Sequence, residues 1–161
     1  MTRARPKLIG HRGAPRERPE NTLPSFLRAL ELQADGIELD VHCTIDRVVV
    51  VHHDIALNPD IARGPDGAWL APPTPFIKDL TRADLARYDV GRIRPGSPTA
   101  SRYPDQVPED GARIPALADI LALPAHFTIE IKSVATRPGG AVRSMRDALA
   151  ALRALEEAVA T

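Results

Sequence analysis

The chain contains a single cysteine, Cys43, so no disulfide can form within it. Aromatic residues make up only 4% of the sequence and the formal charge at neutral pH is zero. Without a basic stripe or an aromatic platform, nucleic acid is not the expected partner. No apolar stretch is long enough to span a bilayer, and no signal peptide precedes the first strand-like run. The expectation is therefore a cytoplasmic protein with no transmembrane segment. Internal repeats are missing too, which sets repeat architectures aside. What remains is 161 residues with 43% hydrophobic content, enough to bury one core and to form one domain.

The chemistry is concentrated between Ile9 and Asp54. Lys7-Leu8-Ile9 is a short apolar run that breaks at Gly10 and delivers His11 and Arg12. Gly36-Ile37-Glu38-Leu39-Asp40-Val41 alternates strictly, so Ile37, Leu39 and Val41 share one face and Glu38, Asp40 and His42 the other. Val48 to Val51 is a β-branched run of the buried-strand type, followed by His52, His53 and Asp54. Far downstream, Phe127 to Lys132 alternates again and places Thr128, Glu130 and Lys132 on one face. Carboxylates on a strand this apolar are costly to bury unless they are paired or bound to metal. Glu130 and Lys132 can satisfy each other as a pair.

Only a few residues separate the second and third runs, whereas a parallel crossover needs about a dozen or more. These strands should form an antiparallel hairpin. A two-residue turn at Asp46-Arg47 would set Asp40 opposite His53, and a three-residue turn would set it opposite His52. Either register brings a histidine beside the carboxylates. Alternation lets one of the pair His52-His53 face the site, and His53 is the choice.

Helices and loops fill the intervals. Thr22 is a candidate N-cap for a helix to about Gln33, with Pro24 in its first turn and Leu23, Phe26, Leu27 and Leu30 as a core face. Thr81 can cap a short helix carrying Leu85. Residues 91–115, with Arg92, Arg94 and Arg102, read as a long surface loop, and a helix with Leu117, Ile120 and Leu121 follows Ile114-Pro115.

Five motifs in order now stand on the expected elements: H-R-G (His11 to Gly13), P-E-N-T (Pro19 to Thr22), E-L-D-V (Glu38 to Val41), H-D (His53-Asp54) and E-I-K (Glu130 to Lys132). Together they resemble the glycerophosphodiester phosphodiesterase family, over residues 7 to about 133. The resemblance implies an α/β fold of the TIM-barrel type. It also implies Glu38, Asp40 and Glu130 as ligands of a divalent metal, Mg²⁺ or Ca²⁺ by their hard oxygen donors. His11 and His53 match the acid/base pair, and Arg12 and Lys132 the groups that bind phosphate. Glu20 either approaches the site or serves the helix N-terminus. The implied substrate is a small glycerophosphodiester, cleaved to glycerol 3-phosphate and an alcohol.

Two departures from the family pattern stand out. The turn after E-L-D-V usually carries Asp-Gly, and here it is Asp46-Arg47. A TIM barrel also takes about 250 residues, rarely fewer than ~200. The expected organisation is thus residues 1–133 as the N-terminal part of the phosphodiesterase domain. Residues 134–161 would be a non-matching linker and alanine-rich helix. That is a truncated barrel, about its first half, whose open strand edges invite self-association. Three functional readings follow: the hydrolase, an inactive truncated or frameshifted remnant of it, and a related phosphodiesterase with another lipid-derived substrate.

Overall fold

The computed structural model describes residues 5–132, and the alanine-rich segment lies outside them. The described strands are β1 (Ile9–His11), β2 (Gly36–Cys43), β3 (Val49–Val51) and β4 (Phe127–Ile131). The helices are α1 (Leu23–Glu31), α2 (Arg82–Leu85), α3 (Pro98–Arg102) and α4 (Leu117–Leu121). No helix among the described residues is long and apolar enough to cross a membrane.

β1 and β2 are parallel, joined by α1, and β4 pairs in parallel with β2. This is the strand–helix–strand pattern of an α/β barrel's opening units. Ile37, Leu39 and Val41 of β2 are fully buried against Phe26 and Ala29 of α1 and Leu117 and Ile120 of α4. The opposite face of β2 is left to Glu38, Asp40 and His42, as the alternation requires. β3 is buried on both faces: Val49 and Val51 join that core, and Val50 joins a second one with Leu57, Ile77, Leu85, Val90 and Ile114. A continuous valine run is what such a doubly covered strand needs.

Helix α1 departs from the expected face. Phe26 and Ala29 are buried and Leu30 packs against them, but Leu23 and Leu27 are each 43% exposed. The cause is close approach. A Cβ on Gly10 would stand 3.0 Å from the Ala29 Cβ, and one on Gly13 would stand 2.5 Å from the Ser25 hydroxyl. The helix therefore turns its small residues, Ser25 and Ala29, towards the sheet, and that rotates Leu23 and Leu27 outward. Gly10 does not break β1, as the sequence suggests, but lies inside it. Thr22 occupies the N-cap position, yet its hydroxyl donates back to the Pro19 carbonyl instead of capping the helix. Thr81 caps α2 with a full capping box, its hydroxyl accepting from the Asp84 N–H. The 91–115 stretch is mostly irregular, as expected, with α3 as one short helix capped by Ser97.

The β2–β3 hairpin is antiparallel, with Val41 opposite Val51 and Cys43 opposite Val49. That register selects the three-residue turn, Ile45-Asp46-Arg47, and sets Asp40 opposite His52. Arg47 closes the turn at φ 64°, the left-handed position such loops require. A glycine there carries no Cβ penalty, so the Asp46-Arg47 departure costs conformational energy without moving the strands.

Opposite effects are expected at two left-handed positions. Arg47→Gly should raise stability by up to about 1 kcal/mol. Gly13→Ala, at φ 86° and with its new Cβ 2.7 Å from the Ser25 backbone, should lower it by more than ~1–2 kcal/mol. Urea unfolding midpoints at constant m-value check both signs.

Candidate active site

The edges of β2 decide which side chains meet. β4 lies along Ile37–Val41 on one edge. β1 pairs with Gly36–Glu38 and β3 with Val41–Cys43, and since a strand has two edges, β1 and β3 must divide the other. They run in opposite directions and stop head-on. His11 pairs with Glu38, and the His52 N–H reaches the Asp40 carbonyl at 3.0 Å. Both chains leave the sheet at this gap, and β4 ends beside it with Asp40 opposite Glu130.

Arg12 is the first residue out of β1, and it leaves in a left-handed conformation, φ 57°. Its N–H is shared between the Glu38 carbonyl at 2.9 Å and the Glu38 carboxylate at 3.1 Å. Its guanidinium lies 3.1 Å from Glu20 and 3.3 Å from Asp40. Glu20, undecided from sequence, therefore holds Arg12.

Asp40 is only 1% exposed. Asn21 Nδ2 donates to it at 3.0 Å, and Lys132 Nζ stands 3.0 Å from its other oxygen. Burial pushes the Asp40 carboxyl up, but the bonds from Asn21 and Lys132 outweigh it and hold the group below its ordinary range. Lys132 also reaches Glu130 at 2.7 Å, so the expected Glu130–Lys132 pair exists and is extended to Asp40. Burial opposes the Lys132 charge, while Glu130 and Asp40 together raise its pKa.

One oxygen from each of Glu38, Asp40 and Glu130 lies within 4.8 Å of the others, and this triad could hold a metal ion. The donors are hard and anionic. With Glu20 included, four carboxylates face the two cations Arg12 and Lys132, an excess of two negative charges that a divalent ion would balance. Asn21 Oδ1 is buried without a protein partner beside Asp40, a further hard oxygen at the cluster. His11, 59% exposed, stands 3.9 Å from the Glu38 carboxylate.

His52 and His53 follow directly on β3. His53 Nδ1 bonds the Asp54 carboxylate at 2.8 Å, and Asn58 donates to the second Asp54 oxygen at 2.7 Å. Burial raises the Asp54 pKa, but the His53 bond, the nearby His52 and the Asn58 bond together more than reverse this, so the carboxylate is ionised and the His53 proton sits on Nδ1. His42 Nε2 lies 3.2 Å from the His53 carbonyl. Sequence reading placed His42 on the right face without a role, and it passed over Asn21 although the P-E-N-T motif contains it. The structure brings His11, Arg12, Glu38, Asp40, Glu130 and Lys132 into one continuous contact cluster, with His53 linked to Asp54 and His42.

His52 is wholly enclosed, and its Nε2 lacks a protein partner. Burial pushes its imidazole down to about 4 from 6.5. An unfolded chain takes up this proton below 6.5 and the folded chain only near 4, so stability falls as pH drops through that window. At 1.36 kcal/mol per unit the loss is roughly 3 kcal/mol. From pH 7 to pH 4 the native chain should lose that much more stability than His52→Leu. Parallel pH profiles for the two proteins in urea unfolding would refute the assignment.

Comparison with known proteins identifies the family. The family model described as the glycerophosphoryl diester phosphodiesterase family matches residues 11–157. A glycerophosphodiester phosphodiesterase of Caldanaerobacter subterraneus subsp. tengcongensis is 38% identical over 130 residues, covering 78% of this chain and 45% of that protein. A Silicibacter pomeroyi crystal structure assigned as a glycerophosphoryl diester phosphodiesterase superposes with a TM-score of 0.84 at 29% identity, covering 94% of this chain and 53% of the other. An Oleispira antarctica phosphodiesterase, solved with the product sn-glycerol-3-phosphate, shares the fold at a TM-score of 0.57 and 24% identity, with coverages of 89% and 51%. The chain thus spans about half the length of these relatives, and its strands and helices are those of their TIM-barrel fold. By sequence match and shared architecture, the chain belongs to the glycerophosphoryl diester phosphodiesterase family.

Proposed function

We propose that this site hydrolyses glycerophosphodiesters to glycerol 3-phosphate and an alcohol. The observation that carries the reading is the convergence of three carboxylates, two cations and His11 at the gap between β1 and β3. Glu38, Asp40 and Glu130 would hold a divalent ion, Mg²⁺ or Ca²⁺, whose charge supports the phosphoryl oxygens as negative charge builds on them.

The remaining work falls to the chain's own side chains. Arg12 and Lys132 bind the phosphate. Both are already fixed by carboxylates, so their charge is placed before the substrate arrives. His11 and His53 divide the proton traffic. One takes the proton of the attacking oxygen as its bond to phosphorus forms. The other gives a proton to the alcohol oxygen as its bond to phosphorus breaks. The Asp54 bond leaves Nε2 as the working nitrogen of His53. The product bound by the Oleispira relative is the product proposed here.

Release of choline from glycerophosphocholine should require Mg²⁺ or Ca²⁺ and stop on adding EDTA. His11→Ala and Glu38→Ala should each lower turnover by on the order of a hundredfold or more. Calorimetry should show divalent-ion binding that Glu38→Ala weakens and His11→Ala leaves in place. Turnover that persists in EDTA would sink the metal assignment, and full activity in His11→Ala would sink the acid/base one.

A further inference from the structure

Three polar side chains share the inner face of β2, and Glu38 and Asp40 account for only two of them. The third is His42, buried and paired across the ladder with Val50. The last ladder bond of β3 is the His52 N–H to the Asp40 carbonyl, so the chain beyond it must be held by other means. The His53 carbonyl lies 3.2 Å from His42 Nε2. A carbonyl only accepts, so the proton of this bond belongs to Nε2.

We propose that His42 is a positioning residue: its ring N–H grips the main chain of His53 and so fixes where the His53 imidazole stands. The inference rests on the reading of His53 as one of the acid/base pair. His53 is then held twice, by His42 at its carbonyl and by Asp54 at its ring, with Asn58 steadying Asp54. Either grip alone leaves one rotation free. The Asp54 bond orients the ring but travels with the loop, whereas the His42 bond ties that loop to β2, the strand that carries two of the proposed metal ligands.

The test compares the native chain with His42→Leu, which fills the volume without a donor, and His42→Gln, whose amide N–H reaches about as far as Nε2. Histidine side-chain ¹⁵N NMR should find the His42 proton on Nε2 and the His53 proton on Nδ1 in the native chain. In His42→Leu the His53 ring signals should shift and broaden as its main chain is released, with the proton still on Nδ1 through Asp54, and in His42→Gln they should stay as in the native chain. With glycerophosphocholine and Mg²⁺, His42→Leu should lose on the order of tenfold in kcat, with KM within about twofold, and His42→Gln should recover most of it. A native His42 protonated on Nδ1, or a His42→Leu chain with unchanged His53 signals and kcat, overturns the proposal. If His42→Leu does not melt cooperatively, the native tautomer and the His42→Gln signals decide. An inactive native chain with the stated tautomers upholds the positioning and overturns the acid/base reading.

Discussion

The buried carboxylate of Asp40 is the constraint on which the site depends. An ionised carboxylate at 1% exposure is tolerable only with partners, and Asp40 takes them from three separate segments: Arg12 after β1, Asn21 before α1 and Lys132 at the end of β4. None of these residues is near it in sequence. Asp40 thus couples the charge balance of the site to the relative placement of three chain segments. A shift in any one leaves a buried charge short of a partner, so the geometry of the cluster and the stability of the fold are set together.

The second constraint is the gap where β1 and β3 meet along one edge of β2. Continuous pairing would have consumed the backbone there and turned the chains back along the sheet. Instead Arg12 adopts a left-handed conformation that ordinarily costs about 1–2 kcal/mol, offset by an N–H shared between two oxygens of Glu38. Ser25 and Asn21 fasten the same turn, the Ser25 hydroxyl and the Asn21 N–H both donating to the Arg12 carbonyl at 3.1 Å. The strain lies where the proposed phosphate-binding residue leaves the sheet, which is where backbone strain is usually tolerated for function.

Much of this was legible in the chain because period-two alternation is a strict geometric rule. Once Ile37, Leu39 and Val41 face the helices, Glu38 and Asp40 have only the other side to occupy. The hairpin followed from loop length, but its register did not, because two turns fit the same residues until Arg47 is seen to be left-handed. The outward rotation of Leu23 and Leu27 was hidden for a similar reason. Helical spacing shows which residues share a stripe, while the contact was set by Ser25 and Ala29 meeting two glycines of another segment. Asn21 and His42 were passed over because their partners, Asp40 and the His53 carbonyl, lie 19 and 11 residues away. Such contacts leave no periodic mark.

The stretch between β3 and α4 leaves and re-enters at the same place. It departs after Val51 and returns where Ala116 bridges Val50, with the Pro115 carbonyl accepting from the Val51 N–H. It carries its own core, from Leu57 through Ile114, which meets the sheet at Val50. Its two ends are therefore pinned regardless of what lies between them, and the entropy of closing a longer excursion grows only slowly with length. A change in its length or content therefore leaves the strand register that places the carboxylates as it is.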